Sequence, residues 1–160
     1  MFMYRTGTGY DVHQLADGYE LWIGGVKIPY EKGSKGHSDG DVLIHALCDA
    51  LLGAANFRDI GYHFPDTDAQ YKGIDSKILL KHVDTMVRQK GYAIVNIDST
   101  VVLQQPKISG FIPLMKTALA AVLNLNEDCV SVKATTTERM GFEGRGEGIS
   151  AQVAVMLRKC

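Results

Sequence analysis

Leu43, Ala46, Leu47, Ala50, Leu51 and Ala54 recur at the spacing of one helical stripe, which predicts an amphipathic helix from about Leu43 onward. The run before it, Gly36-His37-Ser38-Asp39-Gly40-Asp41, is polar and glycine-rich and reads as a loop. Asp39 and Asp41 are both suited to cap the helix, because a carboxylate there accepts from free backbone N–H groups. A second helix follows Asp75-Ser76, with Ile78, Leu79, His82, Val83, Met86 and Val87 on its stripe and Gly91 at its end. A third carries Pro113 in its first turn and Leu114, Met115, Ala118, Leu119, Val122 and Leu123 on one face. Elsewhere the period drops to two. Phe2 to Val12 reads as a strand interrupted by Gly7 and Gly9 and ending at Asp11 and His13. Leu21 to Pro29 reads as a hairpin about Gly24-Gly25. Ile94 to Leu103 places Val95, Ile97, Val101 and Leu103 on one face. Val130, Val132 and Ala134 form a further strand, and Ile149, Ala151, Val153, Val155 and Leu157 alternate along the last one. Two stretches lack a period. Glu31 to Gly36 reads as a polar loop, and Asn56 to Asp68 as an ordered loop anchored by Phe57, Ile60 and Phe64.

Strands and helices interleave without strict βα alternation. The expected fold class is therefore α+β, a single domain over 1–160 with helices on one face of a mixed β-sheet. The other sheet face reads as apolar, which predicts an oligomer. The formal net charge is −1, and no basic run appears. That argues against nucleic acid and against an anionic membrane surface as partners. Cys48, Cys129 and Cys160 are widely spaced, which suits free thiols in a reducing compartment. No apolar run is long enough to span a bilayer and no signal pattern opens the chain, so a soluble cytoplasmic protein is expected.

The candidate chemistry starts at His45, which stands off the packing stripe one turn into its helix, near Asp41 and Asp49. Asp11 and His13, two apart on a strand, project to the same side. Two histidines and a carboxylate form a standard metal-ligand set that leaves one position open for substrate. A surface histidine and a chance Asp-x-His triplet are the plain alternatives. His63, beside Phe64 and Pro65, reads as a packing residue, and His82 as a partly buried one. Lys133-Ala134-Thr135-Thr136-Thr137-Glu138 puts three hydroxyls and a carboxylate past a strand end. Such a turn can hold phosphate oxygens, and a carboxylate beside phosphate points to a divalent cation; a threonine-rich strand end with a capping Glu is the plain reading. Lys107, after Pro106, reads as a phosphate contact or a surface lysine. Gly144-Arg145-Gly146-Glu147-Gly148 does not have the dinucleotide spacing.

Seven segments occur together in the order and spacing of one family. They are Asp11-Val12-His13, Gly24-Gly25-Val26, His37 to Asp41, Asp59-Ile60-Gly61, Phe64-Pro65-Asp66-Thr67-Asp68, Lys133 to Glu138, and Gly144 to Gly148. From about Tyr4 to Leu157 the chain resembles the 2-C-methyl-D-erythritol 2,4-cyclodiphosphate synthases. The resemblance implies conversion of 4-diphosphocytidyl-2-C-methyl-D-erythritol 2-phosphate into the 2,4-cyclodiphosphate and CMP, in the non-mevalonate isoprenoid pathway. It implies a homotrimer with active sites between neighbouring subunits. It also implies a divalent metal (Zn2+ or Mn2+) on Asp11, His13 and His45, and a second ion (Mg2+ or Mn2+) between the substrate's diphosphate and Glu138. His37 and Thr136 match positions that stabilise the transition state. Asp11, Val12, His13, Ser38, Asp59, Ile60, Gly61, Phe64, Pro65, Asp66, Thr67 and Asp68 match contacts to the methylerythritol and its phosphate. Leu103, Lys107 and Ser109 match the cytidine and phosphate contacts, with Thr135, Thr136, Thr137 and Glu138. Phe142 and Arg145 match residues at the trimer axis, where some members bind a prenyl diphosphate, and neither has an obvious partner inside one subunit. Ser34-Lys35, Tyr62-His63 and Glu143 depart from the family pattern. Two rival readings fit parts of the same residues. One is a metal-dependent phosphohydrolase, and the other a non-catalytic prenyl-diphosphate-binding trimer.

Overall fold

The computed structural model describes residues 3–160; Phe2, at the head of the expected first strand, lies outside them. In chain order the elements are β1 (Tyr4–Asp17), β2 (Leu21–Ile23), β3 (Val26–Ile28), β4 (Lys32–Lys35), α1 (Val42–Ala55), α2 (Ile60–His63) and α3 (Ser76–Gln89). Then come β5 (Tyr92–Val102), α4 (Ile112–Leu123), β6 (Val130–Thr135), α5 (Gly141–Gly144) and β7 (Gly148–Lys159). Five strands form one sheet in the order β4-β1-β7-β5-β6, and β2 and β3 form a separate hairpin. Only β5 and β6 run parallel; the other pairs in the sheet are antiparallel. The result is the expected α+β fold with a mixed sheet. β7 sits at its centre, and its inward residues Ile149, Ala151, Val153, Val155 and Leu157 are all buried.

α1 is the helix the core is built around. Eleven of its residues are buried, and the three that are not, His45, Asp49 and Gly53, form a stripe at i, i+4 and i+8. β1 lies directly on it. A Cβ on Gly9 would stand 1.9 Å from the Ala46 carbonyl oxygen, and one on Gly7 would stand 2.1 Å from that of Ala50. These two glycines, which look like interruptions in a strand, let the strand and helix backbones touch. That close approach brings Asp11 and His13 beside His45.

Asp41, not Asp39, is the helix cap. Its buried carboxylate accepts from Ile44 N–H at 3.0 Å, and from Gly24 and Gly25 N–H at 2.9 and 2.6 Å. One side chain thus ends the loop, starts the helix and fastens the β2–β3 hairpin to both. Burial pushes its carboxyl above the usual range, while the three N–H donors pull the other way.

Five expectations are corrected. Glu31 to Gly36 is not a loop, because Lys32–Lys35 pairs with β1 as a polar edge strand. Within Asn56 to Asp68 a short helix, α2, is capped by Asp59, which accepts from Tyr62 N–H at 3.2 Å. In β5 a bulge between Ile94 and Asn96 shifts the alternation. Ile94 is buried in place of Val95, and Ser99 joins the inward row. Leu114 and Ile78 stay exposed, since the inner faces of α4 and α3 are carried by Met115, Leu119, Leu80 and Val83. The open sheet face is mixed, not apolar. It shows Tyr4, Tyr10 and Val12, but also Thr100, Gln152 and the ion pair of Lys133 with Asp98 at 2.7 Å. Among the described residues no helix is long and apolar enough to cross a membrane.

Candidate active site

Asp11 and His13 come from β1 and His45 from α1, and the three side chains close into a triangle. His13 Nε2 is 3.0 Å from Asp11 Oδ2 and 3.1 Å from His45 Nδ1, and His45 Nδ1 is 3.2 Å from Asp11 Oδ2. Zinc bound tetrahedrally at its usual bond lengths spaces its ligand atoms about 3.3 Å apart, so the triangle has the size of one face of such a site. The three donors therefore fit a divalent ion with a fourth position open. Electrostatics agree. Burial opposes ionisation of Asp11, but hydrogen bonds and charge from His13 and His45 together hold its carboxyl well below the usual range. Burial likewise opposes charge on His45, and Asp11, with Asp41 and Asp39 behind it, outweighs that and raises the imidazole.

The triangle opens into a cleft of about 420 Å³ that also exposes His37, Ser38, Ile60, Gly61, Phe64, Pro65 and Asp66. Tyr71, Ile74 and Leu79 complete its lining; the sequence offered none of them as a site residue, and Leu79 only as part of a helical stripe. The loop is held from α1: Asp49 accepts from Ile60 N–H at 2.7 Å. His37 is exposed at the mouth, with Nε2 3.3 Å from the Asp68 carbonyl oxygen. Val12, Asp59, Thr67 and Asp68 do not line this cleft. Asp59 caps α2, and Val12 faces the opposite side of the sheet. His63 packs as expected, its Nε2 2.7 Å from the Phe57 carbonyl oxygen. His82 is exposed beside Phe64, not partly buried, because α3 presents it beyond the inward row.

A second cleft, of about 240 Å³, is lined by Leu103, Gln104, Pro106, Lys107, Ile108, Ser109, Ala134, Thr135 and Thr136. It shares no residue with the first. Register shows how far apart they are. Asp11 pairs with Ala151, Ala151 with Val101, and Val101 with Ala134. Three strand spacings at about 4.8 Å each put the Asp11 and Ala134 backbones about 14 Å apart in one chain. Glu138 stands exposed beyond β6 with positive φ (54°), as does Arg139 (65°). Thr136 Oγ1 lies 3.5 Å from Glu138 Oε1, and Thr137 donates its hydroxyl to the Met140 carbonyl.

Phe142 and Arg145 do have partners inside the chain. A Cβ on Gly148 would lie 2.8 Å from the Phe142 ring, so the ring rests on that glycine. Arg145 donates to both carboxylate oxygens of Glu147, at 2.9 and 3.0 Å. The expectation that they stand unpartnered is corrected. Spacing two apart on a tight turn lets the planar guanidinium meet the carboxylate face on.

The comparisons agree with this geometry. The chain is 59% identical over 155 residues to the 2-C-methyl-D-erythritol 2,4-cyclodiphosphate synthase of Parabacteroides distasonis, covering 97% of this chain and 96% of that one. It superposes with a TM-score of 0.96 on the bifunctional IspDF of Campylobacter jejuni, at 44% identity; the match covers the whole of this chain and 43% of that longer one. A CDP complex of IspF from Plasmodium falciparum is matched with a TM-score of 0.85 at 34% identity, over 98% of this chain and 96% of that one. The YgbB family profile matches residues 4–158. The chain belongs to the YgbB family.

Proposed function

We propose that this chain is a 2-C-methyl-D-erythritol 2,4-cyclodiphosphate synthase, closing 4-diphosphocytidyl-2-C-methyl-D-erythritol 2-phosphate into the cyclic diphosphate and releasing CMP. The observation that carries the reading is the Asp11, His13 and His45 triangle opening into a cleft of apolar walls, in a chain nearly three-fifths identical to named synthases. An oxygen of the substrate's 2-phosphate forms the new bond to the neighbouring phosphorus of the diphosphate, and the bond to CMP breaks. The reaction is internal to the substrate and needs no protein nucleophile. What it needs is a bent substrate and neutralised phosphate charge.

Each part of the chain has a task in that reaction. Asp11, His13 and His45 would hold a zinc-type ion, and Glu138 would share a magnesium ion with the diphosphate; such ions supply positive charge to phosphate oxygens. His37 and Thr136 donate to the oxygens on which charge builds. Ile60, Phe64, Pro65, Ile74 and Leu79 wall the methylerythritol part and keep water out. Leu103, Lys107, Ser109 and Thr135 hold the cytidine and its phosphate. On this reading the protein is a phosphorus–oxygen lyase that depends on divalent metal, and a cytoplasmic one.

The two clefts would have to serve one diphosphate, and about 14 Å of sheet separates them in one chain. A complete site therefore takes the metal half from one copy and the Thr135–Glu138 half from its neighbour, in the cyclic homotrimer that the family resemblance implies. A prenyl diphosphate on the trimer axis is the weaker element, since it would have to take Arg145 from Glu147. Thermal stabilisation by geranyl diphosphate that disappears in Arg145→Leu would support it, and equal shifts would remove it. The function itself is tested by phosphorus NMR of the reaction with the nucleotide substrate and magnesium. Cyclic diphosphate and CMP in equal amounts are expected; CMP with a linear phosphate product would overturn the reading.

A further inference from the structure

His45 turns one ring nitrogen, Nδ1, toward Asp11 and His13. The other, Nε2, lies 2.9 Å from the hydroxyl of Ser76 and 3.0 Å from that of Ser38. Ser76 is the first residue of α3 and is fully buried, far from β1 in sequence. Its hydroxyl proton is already committed. Ser76 Oγ donates to Asp39 Oδ1 at 2.5 Å, and Ser76 N–H donates to Asp39 Oδ2 at 2.9 Å. Asp39 Oδ1 also accepts from Asp41 N–H at 3.1 Å. A carboxylate surrounded by donors has no proton to return. Ser76 Oγ can therefore meet His45 only as an acceptor, and the shared proton must sit on Nε2.

We infer that Asp39 and Ser76 fix neutral His45 as the Nε2–H tautomer, so that Nδ1 presents its lone pair to the Asp11–His13 pair, where His13 Nε2, 3.1 Å away, can donate to it. The Nδ1–H hydrogen bond to Asp11 belongs to the charged imidazolium. Ser76 is then a positioning residue that acts through His45, and Asp39 sets the direction of the chain of hydrogen bonds. The arrangement ties three elements together at one imidazole: the loop before α1, α1 itself and the start of α3. The inference deepens the metal-site reading and rests on it for its effect on metal affinity, whereas the tautomer can be observed without metal. Partners that hold the far nitrogen of a ligating histidine typically change metal affinity about 10–100-fold when removed. Ser38 does not substitute for Ser76. It accepts from Gly40 N–H at 3.3 Å, and its own proton has no fixed acceptor, so it can donate to Nε2 as readily as accept.

The test uses the whole protein labelled with 15N-histidine, stripped of metal and brought to a pH above which its ring signals no longer move, with His45 assigned by its loss in His45→Ala. In the wild type the ring of His45 should carry its proton on Nε2. In Ser76→Ala, where Asp39 keeps both backbone donors, it should become a mixture of tautomers. The zinc dissociation constant, measured by chelator competition, should rise about 10–100-fold in Ser76→Ala. A wild-type ring protonated on Nδ1 would overturn the inference. So would a Ser76→Ala protein with the wild-type tautomer and unchanged zinc affinity, whatever its melting temperature. A wild type that binds no zinc would refute the metal reading, and the tautomer would still decide the inference.

Discussion

Asp11 Oδ2 and His45 Nδ1 stand 3.2 Å apart although 34 residues separate them, and the contact depends on two glycines that let β1 lie on α1. With His13 they make a three-donor set of the size that a tetrahedral ion requires. His45→Ala should leave two donors and lose stoichiometric zinc together with nearly all turnover, while the circular dichroism spectrum stays that of the wild type. Elemental analysis of the purified variant checks this, and a full complement of zinc would mean that His45 is not a ligand.

The same pair sets a pH dependence. The folded-state pKa of His45 is raised, so its contribution to stability is fully present below the ordinary imidazole value of about 6.5 and is lost as pH rises through the raised one. Asp11 is depressed, so its contribution is present above about pH 4 and is lost as pH falls through the depressed value. Metal-free protein should therefore lose stability, relative to His45→Gln, as pH rises from about 6.5 through the raised value. Zinc-loaded protein should gain over that span, because the ion takes the neutral imidazole. Melting curves of both forms decide it. Parallel slopes would show that the imidazole is not shared between proton and metal.

Gly9→Ala should cost about 3 kcal/mol or prevent folding, because a Cβ there would meet the Ala46 carbonyl. Gly53 lies on the same helix with nothing within 4 Å of its Cβ position. Gly53→Ala should instead stabilise by about 0.5–1 kcal/mol through helix propensity. Denaturant titration of the two variants measures the contrast. A mild Gly9→Ala would mean that strand and helix can separate without loss.

These cases show what the sequence could and could not convey. Periodicity located α1, α3 and β7, and i, i+2 spacing put Asp11 beside His13, because those relations are local. The Gly7–Ala50 and Gly9–Ala46 contacts are not local, so the glycines looked like interruptions. Ser76 read only as the start of a helix, and its contact with His45 spans 31 residues. The edge strand β4 was missed because polar residues suit an edge as well as a loop. Val95 was assigned to the inward face because a bulge leaves no mark in alternation. Arg145 read as unpartnered because only the turn geometry brings its guanidinium back onto Glu147.

Sharing of the site between copies can be tested by mixing two inactive proteins. On the proposed reading, His45→Ala would break the metal half and Glu138→Ala the phosphate half. In trimers assembled at random from equal amounts of both, about a quarter of the interfaces would bring together two intact halves. Co-expression should restore about a quarter of wild-type activity. Activity no higher than that of either variant alone would place both halves of each site in one chain.

In the proposed reaction the substrate's own phosphate, not water, makes the new bond. Running the reaction in water enriched in 18O and weighing the products by mass spectrometry tests it directly. The expected result is CMP and a cyclic diphosphate, both free of 18O, formed one for one. An 18O atom in either phosphate product would mean that water enters the cleft as the nucleophile and that the chain is a hydrolase.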